Sequence, residues 1–320
     1  MRALAVVLLL NFAPAAALAQ ADYPNRAITI LVPFPPGGSS DVMTRAVAQK
    51  VGESLKINIV IDNRGGGGGV PAALATKQAA PDGYTLFLAN NGLFAIMPAM
   101  GADVRFDPLK DFAPITPIVS FPSVLMVPAG LPAKSVKELV ELSKSKPGGL
   151  NFASQGVGSG GHVLGEMLRL RSKAAMVHVP YRGAGPAVTD IAAGNVDMLF
   201  GSYVSVAGQV QAGKARLLGW TAAKRSPAIP DVPTMAEAGY PGTELEIWHG
   251  IVAPAGTPAP ILRKLNEEFV KALRSPDIVK MFEQQAADAL PMTQEEFAKL
   301  NADDIARLGK VVREAGIKMQ

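Results

Sequence analysis

The sequence contains no cysteine, and that single absence removes disulfides, thiol catalysis and thiolate metal sites together. Histidine is scarce, and His162, His178 and His249 lie too far apart to give a metal-binding spacing. Charge is thin as well. Only 18% of residues are charged, and the net +4 is scattered without a run of lysines or arginines, which argues against nucleic acid or a membrane surface as partner. Beyond residues 1–19 no stretch is apolar for the ~20 residues that a spanning helix needs.

What is present is a chain of 320 residues, 48% of them apolar, enough for a large core and two domains of ordinary size. Residues 1–19 read as an export signal. Arg2 supplies the positive end, residues 3–10 the apolar centre, and Ala17-Leu18-Ala19 an A-x-A site, so cleavage after Ala19 would start a mature periplasmic chain at Gln20.

The most informative stretch is Val32-Pro33-Phe34-Pro35-Pro36-Gly37-Gly38-Ser39-Ser40-Asp41. It joins a strand at 28–32 to a helix at about 41–55. The prolines stiffen the turn, the glycines permit close approach, and Ser39, Ser40 or Asp41 can cap the helix. Unpaired N–H groups and the positive end of the helix dipole then point at one spot, which favours an anion. The device recurs: strand 150–154, Gln155-Gly156-Val157-Gly158-Ser159-Gly160-Gly161, and a helix over 162–170.

Between them, strand 58–62, a loop of five glycines at 65–69, a helix from Pro71 and a buried strand at 84–89 ending in Asn90-Asn91-Gly92 predict an open sheet with parallel strands. Strands at 115–120 and 124–127 and a helix at 136–146 follow. After the second device come strand 177–179, loop 181–186, helix 187–193, strand 196–200 and further alternation to 221. Residues 227–241 are proline-rich and irregular. From 258 the chain reads as helices, the last opened by a Thr293/Glu296 capping box. These final helices need the first sheet to cover, so the chain is expected to form one domain from 20–121 and 247–320 and a second from 122–246. Two anion cradles facing one cleft would suit a ligand with two negative groups, or one negative and one polar end. Charge-assisted hydrogen bonds of about 1.5–3 kcal/mol, three or four per carboxylate, support micromolar binding, ~8 kcal/mol, without a basic cluster.

These segments also resemble a family. VPFPPGGSSD, PDGYTL, DFAPI, LPAKSVKEL, GVGSGGHVLGE, VPYRGAGPAVTDIAAGNVDMLF, SPAIPDVPTMAEAGYPG, VAPAGTPAPI and VVREAGIK, in that order, are similar to the Bug family of extracytoplasmic solute receptors, the binding component of tripartite tricarboxylate transporters. The resemblance covers the whole mature chain. It implies an α/β, two-lobed periplasmic-binding-protein (Venus flytrap) fold, each lobe an open mixed sheet flanked by helices. It further implies a small carboxylate ligand held by loops matching 34–41 and 154–162, and membrane transporter components as partners. Three places depart from the family pattern: Gly201 stands where many relatives have Asp, Asn90-Asn91-Gly92 where threonine and serine are commoner, and His249 follows Trp248 where another aromatic is usual.

The ligand-binding candidates are Phe34, Pro36, Gly37, Gly38, Ser39, Ser40, Asp41, Asn90, Asn91, Ser154, Gln155, Gly158, Ser159, Gly160, His162, Tyr181 and Asp197. Phe34 is an apolar wall, Ser159 a hydroxyl donor and His162 a ligand-facing hydrogen-bond partner. Asp41 is favoured as a buttress, because a carboxylate facing an anion would repel it. His178 reads as packing and Trp248 as hinge or core, while His249 is undecided. Gly156-x-Gly158-x-x-Gly161 formally matches a dinucleotide fingerprint, yet residues 176–182 contain no acid to meet a ribose. Ser159 is no nucleophile elbow, since Val157 occupies a glycine position of that motif. The expectation is a monomeric binding protein without cofactor, metal or catalysis. A secreted α/β enzyme (hydrolase or nucleotide-using) and a receptor feeding a sensor protein are the rivals.

Overall fold

Residues 23–314 and 316–318 are described by the computed structural model, so the export signal and its cleavage site lie outside the described residues. The run ITILV, β-branched at every position but Leu31, forms β1 (Ile28–Val32), which pairs in parallel with β2 (Ile59–Asn63) on one side and β3 (Thr85–Asn90) on the other. The sheet is completed by antiparallel β10 (Glu246–Pro254), β4 (Phe112–Pro122) and β11 (Asp288–Ala289), in the order β11-β4-β10-β3-β1-β2. A second sheet has the order β7-β6-β8-β5-β9. Its parallel half is β6 (Leu150–Ser154) between β7 (Met176–Pro180) and β8 (Met198–Gly201), and β5 (Val124–Pro128) and β9 (Ala215–Trp220) run antiparallel. Both sheets are therefore mixed. In each, the first parallel strand lies between the next two, so the connections leave it in opposite directions and open a crevice beyond its carboxyl end.

Helices cover both sheets. They are α1 (Ser39–Leu55), α2 (Val70–Lys77), α3 (Met97–Ala99), α4 (Val136–Ser145), α5 (Gly160–Ser172), α6 (Ala184–Ala193), α7 (Tyr203–Gln211), α8 (Ala259–Leu273), α9 (Pro276–Glu283) and α10 (Gln294–Glu314). As the terminal segment's amphipathic pattern requires, α8 and α10 pack on β4 of the first sheet. The capping box opens α10 reciprocally: Thr293 N–H donates to Glu296 at 2.8 Å and Glu296 N–H to the Thr293 hydroxyl at 3.2 Å.

Two local expectations change. Asn90-Asn91-Gly92 does not form a loop. Asn90 ends β3 with its Oδ1 accepting Leu93 N–H at 2.9 Å, and the chain turns directly into a wide helical segment, Gly92–Ile96, that runs on into α3. Helix α6 begins at Ala184, three residues before the apolar pattern starts, because Pro186 fits a first helical turn.

The chain passes between the sheets twice, after Pro122 and before Glu246. Thr221 ties the two crossings together: its hydroxyl accepts Ser123 N–H at 2.7 Å and donates to Leu245 C=O at 3.2 Å.

Candidate functional site

Between the two sheets lies a cavity of about 780 Å³, part of it open to solvent. Four helices begin at its wall. Their N-caps are Gly38 for α1, Ser159 for α5, Gly183 for α6 and Ser202 for α7, at the carboxyl ends of β1, β6, β7 and β8. First-turn N–H groups have no partner within a helix, so this geometry gathers donors and the positive ends of four dipoles around one space. Among the described residues, no lysine, arginine, aspartate or glutamate lines it. The attraction for an anion comes from the backbone.

The first cradle is braced from behind by charge. Asp41, in the first turn of α1, accepts Gly37 N–H at 2.9 Å, Arg45 Nε–H at 2.9 Å and Asn63 Nδ2–H at 3.0 Å. Burial pushes the Asp41 carboxyl up, but these donors outweigh it and hold the group below the usual carboxylate range. Gly38, the residue at the cap, makes no side-chain cap bond. Asp41 instead fixes the loop from inside the helix, much as the acidic member of a capping box reaches back.

The second cradle is braced without charge. The Ser159 hydroxyl accepts His162 N–H at 3.3 Å and donates to Gly156 C=O at 2.7 Å. The His162 ring is fully buried. It accepts Gly158 N–H at Nδ1, 3.2 Å away, and stacks on His178 with centroids 3.9 Å apart and planes 11° off parallel. His178 Nε2 meets the Ser154 hydroxyl at 2.6 Å, and the Phe152 ring packs beside it, centroids 4.9 Å apart. Burial pushes both imidazoles down. His178, beside the other ring, falls to about 3 and the pair stays neutral at physiological pH.

Of the residues singled out in the sequence, Phe34, Pro36, Gly38, Ser39, Ser40, Asn90, Gln155, Ser159 and Gly160 line the cavity. The others stand elsewhere. Gly37 and Asp41 lie behind the first cradle, and Ser154 and His162 behind the second, so the ligand-facing role expected for His162 gives way to a bracing one. Asn91 points away, donating to Glu246 C=O at 2.9 Å and to Asp304 at 3.3 Å. Gly158 (φ +78°) faces the opposite lobe, where a Cβ would come within 2.0 Å of Met97 Cγ. Tyr181 lines an adjoining crevice opposite the glycine run at 66–69 and donates its hydroxyl to Asp190 at 2.7 Å. Asp197 sits at the wrong end of its sheet: it accepts Asn151 N–H at 2.7 Å and pairs with Lys146 at 2.9 Å, near the amino end of β6. Trp248 belongs to the core, its indole N–H donating to Asp304 at 2.7 Å.

Sequence reading missed Phe121, Ser123 and Ile247 on the first-sheet strands and at the crossing, and Ala184, Gly185, Pro186, Ser202 and Ser205 at the third and fourth helix starts; His249 and Gly201, singled out as departures from the family pattern but not as ligand contacts, also line the cavity. A signal existed for the helix starts, since Gly183-Ala184-Gly185-Pro186 and Gly201-Ser202 each follow a strand and open a helix. His249 is 3% exposed and packs edge-on against Phe121 at 5.1 Å and tilted to Phe34 at 6.1 Å. Burial lowers its pKa to about 3, so the ring is neutral. Its Nε2 lies 3.4 Å from the Ser40 hydroxyl while Nδ1 has no partner. A buried acceptor without a partner is tolerated better than a buried N–H without one, which assigns the proton to Nε2. The Ser40 oxygen then accepts, leaving its O–H for the cavity.

Two mixed sheets, two adjacent crossings and a cavity between them ringed by helix starts define a solute-binding protein of the two-lobed periplasmic type. Comparison with known proteins agrees. BugT of Bordetella pertussis is 37% identical over 322 residues, covering 100% of this chain and 99% of its own. The solved periplasmic binding protein BugD superposes with a TM-score of 0.88 at 30% identity, over 93% of this chain and 100% of its own. An R. palustris protein solved with adipate, Rpa4515, gives 0.90 at 32% identity, over 93% of this chain and 99% of its own. Residues 43–317 match the tripartite tricarboxylate transporter family receptor, TctC. The chain belongs to that family of solute-binding receptors.

Proposed function

We propose that this protein captures a small carboxylate, with one or two acid groups, in the cavity between its lobes and delivers it to the membrane components of a tripartite tricarboxylate-type transporter. The observation that carries the reading is the ring of four helix N-termini around a space with no charged side chain. A carboxylate gains charge-assisted hydrogen bonds there, and a cation meets only positive dipole ends. The relative solved with adipate supports the ligand class. Ser39, Ser40, Gly160 and the unpaired first-turn N–H groups of both cradles are the donors, with Asn90 and Gln155 as polar side contacts; Ser159, whose hydroxyl and N–H both donate to Gly156 C=O, shapes the second cradle instead. The lobes comprise 20–121 with 247–320, and 122–246, and the crossings tied by Thr221 are the hinge. The protein works as a monomer. Export to the periplasm with cleavage after Ala19 completes the proposal.

Thermal unfolding with and without ligand tests it. Binding stabilises by about 2.7 kcal/mol at one hundred times the dissociation constant, a shift of several degrees for a protein of this size. At least one acid among dicarboxylates, aromatic acids and acidic amino acids raises the melting temperature, while lysine and neutral sugars do not. A panel in which no carboxylate shifts the transition, or in which a cation does, removes the reading.

A further inference from the structure

The two lobes furnish the cavity with opposite kinds of surface. From the first come three flat rings, Phe34, Phe121 and neutral His249. From the second come four glycines, beside the short or polar side chains of Gln155, Pro186, Ser202 and Ser205. Gly160 and Gly161 are glycine by packing necessity, since a Cβ would meet Ile247 at 2.2 Å and Gln155 at 2.5 Å respectively. Gly185 and Gly201 are different. Neither has a left-handed backbone, a Cβ on Gly185 would meet nothing within 4 Å, and one on Gly201 would make only ordinary contact, 3.5 Å from Val206. Glycine inside a helix or strand weakens it relative to alanine, so the fold gains nothing from either. What both supply is the absence of a side chain over the cavity they line.

Aromatic rings on one lobe, with Phe121 edge-on to His249, facing two positions without side chains on the other leave room for a flat group. Nothing in the lining neutralises an ammonium group, and the hydrogen-bond donors cluster at the helix starts. We propose that the ligand is an aromatic carboxylate, its ring lying between the Phe34–His249–Phe121 wall and the floor at Gly185 and Gly201, and its acid group at the helix N-termini. Ring stacking and burial bind the body, the dipoles bind the charge, and an α-amino acid is rejected because its ammonium faces four positive dipole ends. Gly201 is then a specificity-determining position: a side chain there occupies the place of the ring.

This rests on the carboxylate reading above, and the test separates the two. The purified protein is titrated calorimetrically at pH 7 with benzoate, 4-hydroxybenzoate, adipate, malate and glutamate. One of the two aromatic acids binds at least tenfold tighter than adipate or malate, and glutamate gives no saturable heat. Gly201→Val lowers the aromatic acid's affinity at least tenfold with the ligand-free melting temperature within about 2 °C of the parent's. Should that variant fold poorly, Gly185→Ala, which favours its helix, lowers the same affinity at least threefold. Tighter binding of adipate, malate or glutamate than of both aromatic acids overturns the aromatic proposal and leaves a carboxylate receptor standing. Unchanged aromatic affinity in a folded Gly201→Val or Gly185→Ala variant likewise overturns it. Binding of none of the five acids overturns both.

Discussion

The two cradles use the same backbone device and brace it by opposite means. Each follows the central parallel strand of its sheet, turns through glycine and presents a helix start to the shared cavity. Behind the first stand Asp41, Arg45 and Asn63, a network of one carboxylate and three donors. Behind the second stand two neutral imidazoles, a phenyl ring and two hydroxyls. The loop geometry is set by how many first-turn N–H groups must face the ligand, whereas the brace has only to be rigid. An ion pair and a ring stack meet that need equally, yet they respond differently to pH and to mutation.

The harshest way to break the comparison is to put a side chain on Gly158, whose counterpart in the first cradle, Gly37, would meet nothing within 4 Å. At φ +78° any β-branched residue is strained, by about 1–2 kcal/mol, and its Cβ would collide with Met97 of the other lobe. Gly158→Val therefore holds the lobes apart and weakens ligand binding more than about tenfold, roughly 1.4 kcal/mol or more. The damage comes through closure rather than through contact with the ligand, since Gly158 is not in the cavity wall. Small-angle scattering with saturating ligand shows a wider molecule than the parent's. A parent-like profile and affinity together would sink the idea.

Acid separates the braces next. His178 stays neutral in the folded protein down to about 3 and His162 is pushed the same way, whereas the unfolded chain takes up these protons near pH 6.5. Between those values the unfolded state binds more protons, so stability is lost as pH falls, about 1.4 kcal/mol per unit from His178, and the lowered His162 acts in the same direction. Asp41 has the opposite sensitivity range. Its depressed pKa contributes stability that is present above the unfolded carboxylate value near 3.9 and lost only as pH falls below it. Denaturant unfolding at pH 7 and pH 5 thus reports chiefly on buried imidazole. His178→Phe keeps a ring in the stack and removes one titration, so it flattens that difference by about 2 kcal/mol, 1.5 units below the unfolded value. A variant with the parent's full pH dependence refutes the assignment.

Asp41→Ala attacks the other brace, and its cost is limited because Arg45 is half exposed and can return to water. Losing the acceptor for Gly37, Arg45 and Asn63 costs about 1–3 kcal/mol of stability. Binding weakens severalfold as the loop before α1 loosens, and Asp41→Asn, which keeps an acceptor oxygen, falls between. Calorimetric titration of the two variants beside the parent measures the order, and equal affinities for all three would show that the loop needs no brace.

Much of this arrangement was legible in the residues. β1 shows its exact span through five consecutive apolar or β-branched residues, and both cradles announce themselves by glycine between a strand and a helix. The bracing role of Asp41 followed from charge alone, since a carboxylate facing an anion is repulsive. What stayed hidden depends on tertiary placement. Whether a glycine-loop residue faces the ligand or the other lobe, as Gly158 does, is decided by lobe apposition, which no local pattern encodes. Asp197 follows the same logic: a strand–loop junction can lie at either end of a sheet, and only the pairing of Asn151 with it reveals the end away from the cavity. His162 and His178 are 16 positions apart and meet only because β6 and β7 pair in register, bringing Phe152 opposite His178.

The finest test exchanges the caps. Ser159 caps α5 with its hydroxyl, and Gly38 leaves α1 without a side-chain cap while lining the cavity. Gly38 has extended backbone angles, φ −80° and ψ 169°, and a Cβ there would come no nearer than 4.0 Å to Pro35 C=O, so serine fits the position. At an N-cap the difference between serine and glycine is only a few tenths of a kcal/mol. Gly38→Ser should therefore raise stability by that small amount, and Ser159→Gly should lower it by the same. Affinity moves the other way at position 38: a new side chain stands where the anion approaches the first-turn N–H groups, and its hydroxyl competes with the ligand for them. Gly38→Ser is thus expected to bind two- to fivefold more weakly while melting slightly higher, a pairing that a general folding defect cannot produce. If it instead binds as tightly as the parent, the anion does not approach α1 past Gly38, and the second cradle holds the acid group by itself.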